Sequence, residues 1–126
     1  MSQEDKELLL KDLCARLPYG VKIQVPYEDG SGYFDETVWE VNNEGPFYVN
    51  GWGIEYEYVK PYLFPLSSMT EEQKKEYQYI TERWMNDPAY SISDSIDWLN
   101  KHHFDYRGLI EKGLALEAPE EMYKTE

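Results

Sequence analysis

A thiol, two adjacent histidines and several paired carboxylates are the groups in this chain with the means to do chemistry. Cys14 is the one cysteine, and a cysteine becomes a nucleophile only where a histidine or another cation holds it as the thiolate. Its neighbours Leu10, Leu13 and Leu17 recur at helical spacing, which puts Cys14 on an apolar stripe as an inert core residue. His102 and His103 stand together with Asp105 close behind, a grouping that superficially suggests a metal. Neighbouring helical residues point about 100° apart, whereas two helical ligands to one ion sit four residues apart. No metal site is expected. The pair that does have that spacing, Trp98 with His102, reads as surface packing. Glu55 and Glu57 project from one face of a predicted strand and could flank a substrate, yet a solvated strand face shows the same alternation. The chain has no glycine-rich phosphate loop, no Gly-x-Ser-x-Gly elbow and no spaced cysteine set. The expectation is a non-catalytic chain without a cofactor, a small enzyme of unspecified reaction being the weakest alternative.

The aromatic residues suggest a different chemistry. They make up 16% of the chain, and twelve of them crowd between Tyr19 and Phe64, more than one small sheet can bury. Tyr33, Phe34, Tyr48 and Trp52 fall in or beside turns, where an aromatic side chain either lids the core or stands out as a recognition surface. With Asp35, Glu36, Glu55 and Glu57 around them, such a surface suits a cationic peptide, through ring quadrupoles and carboxylates acting together. The overall charge points the same way. Against 12 Lys+Arg stand 25 Asp+Glu, a net charge of −13. That field repels DNA, RNA and anionic lipid and attracts basic proteins, although solubility alone would also account for it. The leading reading is a binding module for a basic protein or peptide, with no direct contact to nucleic acid or membrane. One alternative is nucleic-acid mimicry, with Glu40, Glu55 and Glu57 building a continuous acidic face that fills a basic channel. Another is a purely structural or assembly role, and the oligomeric state stays open.

These side chains need a scaffold, and 126 residues suffice for one domain with its own core. Residues 1 to 17 form the first predicted helix. Leu9, Leu10, Leu13, Cys14 and Leu17 make its stripe, Asp12 lies among the wet residues, Ser2 with Asp5 caps the start, and Pro18 with Gly20 ends it. From 18 to 66 the texture turns β-branched and aromatic. Val21, Ile23 and Val25 alternate with polar residues, and turns are expected at 28–32, 42–45 and 50–51. A further strand is predicted through Ile54, Tyr56 and Tyr58, with Pro61 and Pro65 stopping regular pairing. Short strands with tight turns must curl to bury one face, so the expected architecture is α+β: a small curled antiparallel sheet or SH3-like barrel over about 19–66. Two helices follow within 67–118. The first opens on a Thr70/Gln73 capping box with Tyr77, Ile80 and Trp84 on one stripe, and the second runs from about Ser93 to His103 with Ile92, Ile96, Leu99 and His103 buried. Residues 119–126 are expected to fray. No apolar run reaches the ~18 residues of a membrane span and the first residues are polar, so a cytoplasmic location is expected. The single cysteine fits a reducing compartment.

Three stretches, LLLKDLCARLPYGV from Leu8 to Val21, VKPYLFPLSSMT from Val59 to Thr70 and FDYRGLIEKGLAL from Phe104 to Leu116, together resemble a family of small acidic proteins. Its members are encoded by gut Bacteroides-type bacteria and their phages or mobile elements. The resemblance brings no reaction, cofactor or catalytic residue with it. What it implies is a setting in which short acidic proteins bind host machinery, a basic protein or a DNA- or RNA-binding protein of host or phage, with partner choice set by residues 26 to 57.

Overall fold

The computed structural model describes residues 2–41, 46–48, 52–53, 55–86 and 92–123, without the side chains of residues 39, 46–48, 52–53, 84–86, 92 and 93. The turns expected at 42–45 and 50–51 lie outside the described residues.

The first helix, α1 (Gln3–Arg16), starts as its sequence requires. The Asp5 N–H donates to Ser2 Oγ at 3.1 Å, and Glu4 and Asp5 face the positive end of the helix dipole. It stops in a short 3-10 turn, Leu17–Tyr19, closed by Gly20 in the left-handed region. Its buried face differs from the expected stripe. Leu9, Asp12, Leu13 and Arg16 point inward, whereas Cys14 is exposed. Cys14 is therefore no core residue.

Strands β1 (Lys22–Pro26) and β2 (Tyr33–Val41) form an antiparallel hairpin around the expected turn, with Gly30 at φ 75 and the Tyr27 N–H donating to the Gly32 carbonyl at 2.9 Å. In β1 the expected alternation holds, with Ile23 and Val25 buried. A bulge in β2 between Val38 and Glu40 changes the parity, so that Val38 and Val41, three residues apart, both reach the core. β3 (Pro46–Tyr48) and β4 (Trp52–Gly53) continue the antiparallel meander.

Beyond them the expected strand through Tyr56 is replaced by a 3-10 turn, Tyr56–Tyr58. Tyr56 enters the core and Tyr58 stays outside. The prolines do not end the sheet either. β5 (Lys60–Pro65) runs between them and joins the two halves of the fold. It pairs with β1 only at Lys60 and Pro61, then takes β7 (Leu116–Glu117) and β6 (Phe104–Asp105) in parallel. The Phe64 N–H donates to the His103 carbonyl, and the Leu63 carbonyl accepts from the Ala118 N–H, both at 2.8 Å. These groups belong to one planar peptide unit and point opposite ways, so β6 and β7 flank β5 on opposite sides. The prolines stand near the ends of β5, where a missing N–H interrupts no continuous ladder. The sheet order is β4-β3-β2-β1-β5-β6, with β7 against β5. It is open and mixed rather than a closed antiparallel barrel; the parallel partners come from the C-terminal half, which a reading of local hairpins does not reach.

Helix α2 (Glu71–Asn86) opens on the expected capping box, the Thr70 N–H to Gln73 Oε1 at 2.9 Å and the Gln73 N–H to Thr70 Oγ1 at 3.1 Å. Helix α3 (Ile92–Lys101) buries Ser95, Trp98, Leu99 and Asn100, while Ile96, expected inside, is exposed. Leu63 and Phe64, neighbours on β5, point to opposite faces. Leu63 joins a core built from α1, β1, β2, Tyr56 and residues 109–115, and Phe64 packs on Trp98, Leu99 and Phe104 with Tyr77 and Ile80. Among the described residues no helix is long and apolar enough to cross a membrane.

The last described residues were expected to fray, and in the structure Tyr123 is half-buried with its hydroxyl hydrogen-bonded to the sheet. Its hydroxyl accepts from the Lys22 N–H and donates to the Tyr62 carbonyl, both at 2.8 Å. By register, Lys22 and Tyr62 form the next rung beyond Ile23 and Pro61, so the phenol bridges the rung at which β1 and β5 part. Burial pushes the hydroxyl's pKa upward. Tyr123→Phe strands both backbone groups and should cost about 1–3 kcal/mol, read as a lower urea midpoint with an unchanged slope.

Candidate functional site

The β1–β2 hairpin gathers part of the aromatic and acidic set. On β2, Tyr33 and Asp35 share one face, and Phe34 shares the other with Val38. Tyr33 is 63% exposed and Tyr27, just before the turn, 47%. Phe34 is half-buried against the core, with its ring 5.0 Å from that of Tyr27. It supports the exposed tyrosine from beneath. Asp29 is held ionised by hydrogen bonds from Ser31, which lower its pKa. Asp35 is exposed and positioned: it accepts from the Tyr62 hydroxyl at 2.6 Å, and Gln24 Nε2 donates to that hydroxyl at 3.3 Å. Burial and this carboxylate raise the pKa of Tyr62. Glu36 is half-buried and pairs across from Ile23, on the face opposite Asp35.

Glu55 and Glu57 are exposed, but on and beside the 3-10 turn rather than on a strand face. They cluster with Tyr58, 56% exposed, whose pKa is raised chiefly by the charge of Glu57. Tyr48 and Trp52 pair in register across β3 and β4, and their side chains lie outside the described residues. The structure thus holds Tyr33, Phe34, Asp35 and Glu36 on one strand and Glu55 with Glu57 on a separate turn.

Sequence reasoning missed two further groupings. The first is ionic and internal. Asp12 and Arg16 are fully buried, and Arg16 Nε donates to Asp12 Oδ2 at 2.9 Å. Arg107 Nη1 donates to the other Asp12 oxygen at 2.9 Å, and Arg16 Nη2 donates to the Phe104 carbonyl. Tyr106 adds its ring beneath the Arg107 guanidinium and its hydroxyl to Asn100. The four positions Leu9, Asp12, Leu13 and Arg16 have the spacing of a helix face, which was the available signal.

The second is a cleft. Its walls include Phe64 of β5, Lys101 and His102 at the end of α3, Glu117 of β7 and Tyr123. The Tyr123 ring stacks on His103 with centroids 3.7 Å apart, and the His102 ring meets that of Trp98 at 4.4 Å with the two planes tilted by 45°. Trp98 is buried, so this pair is no surface packing. His103 sits at φ 60, 4% exposed. Burial first, and then the Arg16 guanidinium, hold its pKa down to about 4, so it is neutral at pH 7. Burial lowers His102 as well. Among the described residues no group of three His, Cys, Asp or Glu side chains is placed to hold a metal ion.

Comparison of the chain with protein families, curated proteins and solved structures finds no match.

Proposed function

We propose that the protein is a non-catalytic binding module that takes a basic protein or peptide on the β1–β2 hairpin. The observation that carries this reading is Tyr33, left 63% exposed beside Asp35. Tyr33 stands on a strand whose opposite face already fills the core, so its ring is presented to a partner rather than to the interior. The carboxylates of Glu28, Asp29 and Asp35 around the tip give an approaching guanidinium or ammonium both ring faces and opposite charge. The net charge of −13 adds steering toward any cation. The Tyr33 ring supplies what bulk charge lacks, a fixed place to dock. The setting implied by the resemblance, binding of host machinery by a small acidic protein, belongs to the same proposal.

Fluorescence anisotropy with a labelled arginine-rich peptide tests it. Binding should weaken as salt rises from about 50 to about 500 mM. Because non-specific attraction would do the same, the deciding variant is Tyr33→Ala. It should lose about tenfold in affinity at fixed salt while net charge stays the same. Unchanged affinity in that variant would contradict the proposal.

A further inference from the structure

We propose that the cleft between the C-terminal segment, the sheet and the end of α3 binds a small aromatic zwitterion, of the class of an aromatic amino acid. The cleft holds about 990 Å³, the upper part of the range that small-molecule sites occupy. Phe64, His102 and Tyr123 line it, so the apolar part of an occupant finds aromatic side chains to pack against.

Its charged groups carry both signs: Lys22 and Lys101 on one count, Glu117 and Glu120 on the other. An anion would meet the glutamates and the field of a chain at −13, and a cation would meet the lysines. A molecule with a carboxylate for the lysines and an ammonium for Glu117 finds a complement for each and brings no net charge. His103 also lines the cleft; its ring hydrogen-bonds the Tyr19 backbone, and its Nδ1 is buried with no partner among the described residues. The inference is independent of the hairpin surface.

The test is calorimetric titration of the full chain with L-phenylalanine, phenylalaninamide, which lacks the carboxylate, and N-acetylphenylalanine, which lacks the ammonium. L-phenylalanine should bind one to one, and each blocked analogue at least about tenfold more weakly. Lys101→Met and Glu117→Gln alter exposed positions, and each should weaken L-phenylalanine about tenfold at an unchanged urea midpoint. Absence of saturable binding overturns the proposal. So does equal affinity for either analogue, or undiminished affinity in either variant.

Discussion

Asp12→Ala should destabilise the protein by about 3–5 kcal/mol, the loss expected when one partner of a buried charge network is removed. Asp12 accepts from both Arg16 and Arg107 at 2.9 Å, and Arg16 has no exposed surface. Truncating the carboxylate leaves the Arg16 guanidinium buried with the Phe104 carbonyl as its remaining acceptor among the described residues, and water cannot reach it. The expected penalty belongs to the stranded charge, so a compensated variant should behave differently. Asp12→Leu combined with Arg16→Met removes the fully buried pair and should recover part of the loss, because apolar replacement of a buried ion pair is often neutral, while Arg107 and the Phe104 carbonyl lose these partners. Urea unfolding of the three proteins separates the cases. A double variant as unstable as Asp12→Ala would mean that the network stabilises the fold directly.

The second large effect is a dependence of stability on pH through His103. Its folded pKa lies near 4, below the roughly 6.5 of an unfolded histidine, because burial and the Arg16 guanidinium oppose a second positive charge. The unfolded chain therefore takes up the proton first as pH falls. The contribution is fully present above pH 6.5 and is lost progressively between pH 6.5 and pH 4, amounting to about 3 kcal/mol across that window. Carboxylates titrate over the lower part of the same range, so the comparison needs a variant without the imidazole. His103→Asn suits a residue at φ 60, since asparagine tolerates the left-handed region. Its stability should fall less steeply from pH 7 to pH 5.5 than that of the native protein, the decline that remains coming from His102, whose pKa burial also lowers. Parallel curves for the two would remove His103 as the cause.

Where the sequence was legible, the determining interactions were local. The Ser2 cap, the Thr70/Gln73 box, the Gly30 turn and the alternation in β1 each involve residues within a few positions of one another, and each appears as read. Where it was not, the partner was distant. Arg107 reaches Asp12 across 95 positions and Phe104 meets Arg16 across 88, so a pair that looks like a surface i, i+4 bridge is in fact interior. Strands β6 and β7 have two residues each, too few for any period to show, yet they convert the expected antiparallel sheet into a mixed one. The alternation through Tyr56 and Tyr58 points to a strand with both rings on one face; the three-residue period of the 3-10 turn instead sends Tyr56 into the core and leaves Tyr58 outside. The exposed aromatic residue could be read from its place beside a turn, as Tyr33 shows. Tyr123 could not, because one tyrosine in a charged tail carries no pattern, and its two backbone partners lie 101 and 61 positions away.

Amide chemical-shift mapping tests the claim that a basic partner docks on the hairpin most directly. With labelled protein and an unlabelled arginine-rich peptide, the largest shifts should fall between Tyr27 and Asp35, with smaller ones at Tyr62 and Gln24 through the hydrogen bonds to Asp35. Shifts spread evenly over the acidic residues of α2, 117–121 and the hairpin alike would show a diffuse ion atmosphere with no docking surface, and would contradict it.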